Sequence, residues 1–115
     1  MVNNSSNYID IDLGRYAGNR RLLAGRQNGQ EAWGEVSRKG DIVNSVIVLK
    51  DGGRAIVTNS YFLGMLSGIF KLYGSKSELL DHIDTGGLTE TNKQEFLRAI
   101  NRGYSPAINH MSTGS

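Results

Sequence analysis

Few side-chain groupings in this 115-residue sequence have types and spacing suited to chemistry. His82 stands between Asp81 and Asp84, which offers a base and an orienting carboxylate. A serine hydrolase also needs a nucleophile held on a sharp turn, and no Gly-x-Ser-x-Gly elbow occurs. Asp10 and Asp12, two residues apart, could be paired acid–base carboxylates; on a strand they share one face, and solvation is the ordinary role of such a face. Arg15, Arg20, Arg21 and Arg26 cluster around the start of a helix, where the dipole does not favour cations. Arg20 and Arg21 are therefore the candidate residues for an anion, although Glu31 and Glu35 in the same helix give it the mixed charge of a solvated surface. Thr58, Asn59 and Ser60 are three successive residues able to cap a helix N-terminus.

The composition removes several kinds of chemistry. Cysteine is absent, which excludes thiol catalysis, disulfides and zinc–thiolate sites. The two histidines, His82 and His110, are far apart, so neither a metal site nor any other cofactor is expected. A formal charge of +2 and the lack of a basic run interleaved with aromatics argue against nucleic acid. The glycine stretches match neither nucleotide fingerprint, since no Gly-Lys-Ser or Gly-Lys-Thr follows them. The longest apolar run, Val46 to Leu49, falls far short of the roughly 20 residues that span a bilayer. No apolar signal core is seen near the start, and a cytoplasmic protein is expected.

The elements that must position these residues follow from periodicity. Residues 1–7 read as a disordered lead-in, 8–103 as one domain and 104–115 as a polar tail. Tyr8 to Leu13 alternates as a half-buried strand, and Gly14 and Gly18 bracket a turn. Arg20 to Lys39 has helical spacing, with Leu22, Gly25, Gly29, Ala32, Trp33 and Val36 on one face. Either its two glycines let the helix lie close against a sheet, or one of them breaks it in two. Val46 to Leu49 is a β-branched run suited to a central strand, Asp51-Gly52-Gly53 a turn and Ala55 to Val57 a short strand. A helix then runs from Thr58 to Gly74 with Phe62, Met65, Leu66, Ile69 and Tyr73 inward. Ser75 to Glu78 fits a capping box, and His82 to Asp84 suits either the end of that turn or a last strand. Thr89 or Thr91 caps a final helix that buries Phe96, Leu97 and Ile100. The expected fold is α/β: a small mixed sheet packed by about three helices.

The run Val46-Ile47-Val48-Leu49, followed by Ile56-Val57-Thr58-Asn59-Ser60-Tyr61-Phe62 and an apolar helix to Gly74, resembles STAS domains, the family of anti-sigma-factor antagonists. It is similar, more closely still, to the bacterial STAS-like family of unknown function. Gly18-Asn19-Arg20-Arg21-Leu22-Leu23-Ala24 is similar to the start of that family's first helix, and Phe96-Leu97-Arg98-Ala99-Ile100 to its last. The sequence departs from the pattern at Lys50, where aspartate is usual, at Asn59, where a serine is, and at Tyr61, where the antagonists have glycine. The resemblance implies a non-catalytic regulatory domain that binds a protein partner. It also implies that Ser60 matches the serine phosphorylated in the antagonists by a histidine-kinase-type ATPase; read from the residues alone, Ser60 is a helix cap. The expected docking surface is the helix start, Thr58, Asn59, Ser60 and Tyr61, with the adjoining turn carrying Asp51 and Arg54. The alternatives are a nucleotide or small-anion binding module using Arg54, Arg20 or Arg21, and a phage or mobile-element inhibitor of a host enzyme.

Overall fold

The structure, a computed structural model, describes residues 7–19 and 21–104. The expected lead-in and tail lie outside the described residues, apart from Asn7, which opens the first strand, and Tyr104, which is packed into the domain. The ring of Tyr104 meets Phe70 edge-on at 5.2 Å, and its hydroxyl donates to the Tyr73 carbonyl at 3.0 Å.

Strand β1 (Asn7–Asp12) lies parallel to β3 (Ser45–Lys50), which lies parallel to β5 (Ile83–Gly87) on its other side. The β-branched run of β3 is thus the centre of a three-stranded sheet, ordered β1-β3-β5. Ile9, Ile47 and Ile83 are in register, as are Ile11 and Leu49, and all five are buried. Because the sheet grows in one direction, right-handed crossovers place both connections on this face. The opposite face carries exposed Tyr8 and Asp10 and half-buried Val46 and Val48, so β3 is covered fully on one side only. A second, two-stranded parallel pair joins β2 (Leu22–Leu23) to β4 (Ile56–Val57). The fold is α/β, as its alternating elements required, with parallel pairing in both sheets.

The helices depart from the periodicity in instructive ways. The bracketed turn after β1 is a short helix, α1 (Leu13–Ala17), whose first turn is capped by the Asp12 carboxylate accepting from the Gly14 amide at 3.1 Å. The first long helix, α2, spans Arg26–Val36 rather than 20–39, because Gly25 has φ 92° and cannot continue a right-handed helix. Leu22 accordingly belongs to β2 and is exposed. Gly29 does mark a close approach, but to another helix and not to the sheet. A Cβ at Gly29 would run into the Tyr61 carbonyl of α3 (Asn59–Met65), and one at Gly64 would run into the Arg26 carbonyl of α2. The two glycines let these backbones touch. The helix expected to reach Gly74 is interrupted at Leu66, at φ −95° and ψ 2°, and α4 (Ser67–Phe70) follows, with Trp33 half-buried over Gly68.

Helix α5 (Lys76–Asp81) begins at Ser75, whose hydroxyl accepts from the Glu78 amide at 3.2 Å. His82 ends it and β5 follows, so the ambiguous segment holds both a helical turn and a strand. The last helix, α6 (Glu90–Gly103), buries Phe96, Ala99 and Ile100. Phe96 meets Phe62 edge-to-face at 5.7 Å, which locks α6 onto α3. Leu97, expected inward, is exposed. Among the described residues, no helix is long and apolar enough to cross a membrane.

Candidate functional site

The start of α3 is set by β4. The Thr58 amide donates to the Leu23 carbonyl at 3.0 Å and so continues the strand pairing one residue beyond β4. Thr58 is therefore extended, at φ −82° and ψ 158°, and its hydroxyl accepts from the Tyr61 amide at 3.2 Å. Thr58, not Ser60, is the N-cap. Asn59 and Ser60 are the first two helical residues, both half-buried, and the Ser60 hydroxyl makes no hydrogen bond among the described residues.

The free amides expected at this helix start are largely taken. Glu95, on α6, accepts from the Asn59 backbone amide at 2.8 Å and from its side-chain amide at 3.0 Å. Arg98 donates to the other Glu95 oxygen at 2.7 Å, and Arg102 donates to the Asn59 side-chain carbonyl at 2.6 Å. The side-chain bond from Asn59, opposed by partial burial and reinforced by the Asn59 amide and Arg98, holds the Glu95 carboxyl below its ordinary range. The positive end of α3 is thus neutralised from within the fold.

Two expected members of the surface are not on it. Tyr61 is 3% exposed, because it lies on the side of α3 that faces α2. Asp51 is 1% exposed, because its carboxylate turns inward to the start of α6. One Asp51 oxygen accepts from the Gly53 amide at 2.8 Å. The other accepts from the Thr89 amide at 2.9 Å, the Thr89 hydroxyl at 3.1 Å and the Asn92 side chain at 2.6 Å. Burial pushes this carboxyl up, but the bonds from Thr89, Gly53 and Asn92 together outweigh it and hold its pKa below the usual value. Thr89 occupies the cap position of α6, yet its hydroxyl serves Asp51 instead of the helix. Asn92, also buried, completes the network by donating to the Ala55 carbonyl at 2.8 Å and accepting from the Val57 amide at 2.9 Å.

Neither Thr89 nor Asn92 is singled out as a polar anchor by sequence reasoning. The available signal is that Asn92 falls on the same helical stripe as Phe96, Ala99 and Ile100, an amide at a core position.

Arg54 is on the surface as expected, its side chain 65% exposed and 3.7 Å from the Asp12 carboxylate. Arg20 lies outside the described residues. Arg21 is exposed, has φ 62° and lines one shallow depression of about 400 Å³ together with Arg54. The His82 Nδ1 faces the Glu78 carbonyl at 2.9 Å and its ring stacks on Tyr73 at 4.6 Å. Among the described residues, no group of three or more histidine, aspartate or glutamate side chains could hold a metal ion.

No family model, curated protein or solved structure matches this chain.

The strands β2 and β4 carry two exposed apolar side chains. Leu22 and Ile56 are register partners across β2 and β4, so their side chains emerge on the same face, 49% and 59% exposed. Strand β4, which carries Ile56, leads directly into Thr58 and the α3 start, while β2 leads into α2.

Proposed function

We propose that this chain is a non-catalytic regulatory domain, cytoplasmic and STAS-like, that binds a protein partner through β2, β4 and the start of α3. The observation that carries this reading is the exposed Leu22–Ile56 pair on the ladder whose strand β4 runs on into Asn59 and Ser60. Paired apolar side chains on a two-residue ladder do nothing for the core, and covering them is worth about 25 cal/mol per Å². The resemblance of Ile56 to Phe62 to the STAS motif points to the same place. It also points to Ser60 as the residue modified, by a partner ATPase of the histidine-kinase type.

The surroundings of Ser60 explain how such a change acts. A phosphoryl group there carries close to two negative charges, one residue from the contact between Asn59 and Glu95. It would repel Glu95 and draw Arg102 and Arg98, rearranging the surface without entering the core.

The test is site-specific photo-crosslinking in cells of the source organism. A benzophenone side chain at Leu22 or Ile56 should trap one partner. Leu72, equally apolar and 47% exposed, is the control position and should not. Ser60→Asp should abolish that product while keeping its melting temperature. Equal trapping from all three positions, or none, refutes the reading.

A second reading rests on the depression shared by Arg21 and Arg54, which suits a small anion or the phosphates of a nucleotide. Calorimetric titration with phosphate and ATP decides it: saturable heat lost in Arg54→Ala supports this alternative, and no heat removes it.

A further inference from the structure

The three-stranded sheet is covered on one side only. Its order β1-β3-β5 follows the chain in one direction, so both crossovers pack on the face of Ile9, Ile47 and Ile83. The other face is left to Tyr8, Asp10, Val46, Val48 and Asp84. Parallel sheets are ordinarily covered on both faces, usually by helices. Here Val46 and Val48 are half-buried and Tyr8 is 63% exposed, so an apolar strip along the sheet stays open to solvent.

The strip has acidic margins. Asp10, Val48 and Asp84 are in register across the three strands, which sets the two carboxylate-bearing strands about 10 Å apart with a valine between them. Both acids are exposed, and among the described residues neither has a basic group within 4 Å. One Asp84 oxygen accepts from the Gly86 amide at 2.8 Å, which holds the side chain without neutralising its charge. Asp12, next along the face, is already engaged by the Gly14 amide and by Arg54. Arg15, Lys39 and Lys50 share a depression with Asp10 along the β1 edge, and none of them is close enough to pair with it.

We infer that this face docks a basic amphipathic helix of a partner protein, its apolar stripe laid along Val46 and Val48 and its lysines or arginines reaching Asp10 on one flank and Asp84 on the other. A helix, about 10–12 Å across, matches the width of three strands. Its cations supply the charge that the two margins lack. A second copy of this chain fits worse: stacked about a two-fold axis along β3, two copies would bring the Asp10 of each onto the Asp84 of the other. The face is built from other strands than the Leu22–Ile56 surface, and the two readings stand or fall separately.

The probe is an acetylated and amidated peptide made of two copies of Lys-Leu-Ala-Gln-Leu-Lys-Ala, about as long in helical form as the six-residue strands β1 and β3. Its leucines form one stripe with lysines on both sides. The comparison peptide replaces each lysine with glutamate and keeps the stripe. Both are titrated into the ¹⁵N-labelled protein and followed by NMR. The lysine peptide should move the amides of Tyr8, Asp10, Val46, Val48 and Asp84, and the glutamate peptide should bind at least about tenfold more weakly. Asp10→Asn combined with Asp84→Asn should weaken the lysine peptide about tenfold, since two exposed charge pairs are lost. The peptide pair compares charge on the unaltered protein, so its answer holds even if that variant unfolds. Equal binding of the two peptides, an absence of shifts, or shifts confined to Glu31 and Glu35 on α2 overturns the inference. Sedimentation that shows a dimer, with the same five amides shifting on dilution, gives the face to a second copy and overturns it too.

Discussion

Replacing Gly29 with alanine puts one methyl group between two helix backbones. At the position that Cβ must occupy, the Tyr61 carbonyl overlaps it and the Met65 amide nitrogen is 2.7 Å away. Ordinary contact begins at 3.4 Å, so α2 and α3 must separate by about 0.7 Å even for the amide. Neither obstacle is a side chain that could rotate away. Overpacking of this kind costs about 1–3 kcal/mol, and a contact with rigid backbone belongs at the upper end. Alanine returns about 1 kcal/mol of helix propensity, leaving a net loss of about 2 kcal/mol. At roughly 4 °C per kcal/mol for a domain of this size, the melting temperature should fall by about 8 °C. Gly34, five residues on in the same helix, has no atom within 4 Å of its Cβ position. Gly34→Ala should therefore gain up to about 1 kcal/mol. Urea unfolding monitored by circular dichroism measures both. A neutral or stabilising Gly29→Ala, or a Gly34→Ala that destabilises as much, would refute the close packing of α2 on α3.

Asn92→Ala strips one partner each from the Val57 amide, the Ala55 carbonyl and the Asp51 carboxylate, and should cost about 3 kcal/mol in urea unfolding; a loss under about 1 kcal/mol would mean water replaces the amide freely. Thr58→Ala should lose about 1 kcal/mol and Ser60→Ala less than about 0.5, and the reverse order would return the cap to Ser60. The Asp51 and Glu95 carboxyls are held below their ordinary range in the folded state, so the stability they contribute is present above the unfolded pKa of about 4 and is lost as pH falls through the folded values. The urea midpoint should drop on acidification below about pH 4, and Asp51→Asn, already weaker at neutral pH, should show a shallower drop; identical slopes would place the acid sensitivity elsewhere.

The strands β1 and β3 are legible because alternation and β-branching are local signals that their burial then bears out. Strand β5 is not, since Ile83 is its only buried residue and Thr85, Gly86 and Gly87 resemble a loop. Its place in the sheet comes from pairing with β3, which no local pattern encodes. Helix α1 escapes because five residues ending at a glycine are too few to show a helical period. The segment Thr58 to Ser60 is visible as a helix start, yet any of its three residues could cap. The bond from the Thr58 amide to Leu23 makes the choice, and it joins residues 35 apart in the chain. The burial of Asp51 is hidden for a similar reason: Asp-Gly-Gly reads as an exposed turn until Thr89 and Asn92 are brought beneath it.

The same two carboxylates explain why the helix starts are not open arrays of free amides. Asp51, at the end of β3, accepts the Thr89 amide at the start of α6; Glu95, one turn into α6, accepts the Asn59 amide at the start of α3. Each acid satisfies an amide donor that its neighbour's helix geometry leaves over, and each meets the positive end of that helix dipole. The two contacts tie the segment from Asp51 to Ser60 to one side of α6 at both of its ends, with Asn92 holding Ala55 and Val57 between them. A charge added at Ser60 therefore acts on a segment whose far end is fixed by buried bonds and whose near end is fixed by a half-buried carboxylate. The near end is the weaker, because Glu95 can exchange its partners for water at little cost while Asp51 cannot. The effect of a charge placed at Ser60, as proposed, would thereby be confined to the surface near Asn59, with the buried network keeping the core out of it.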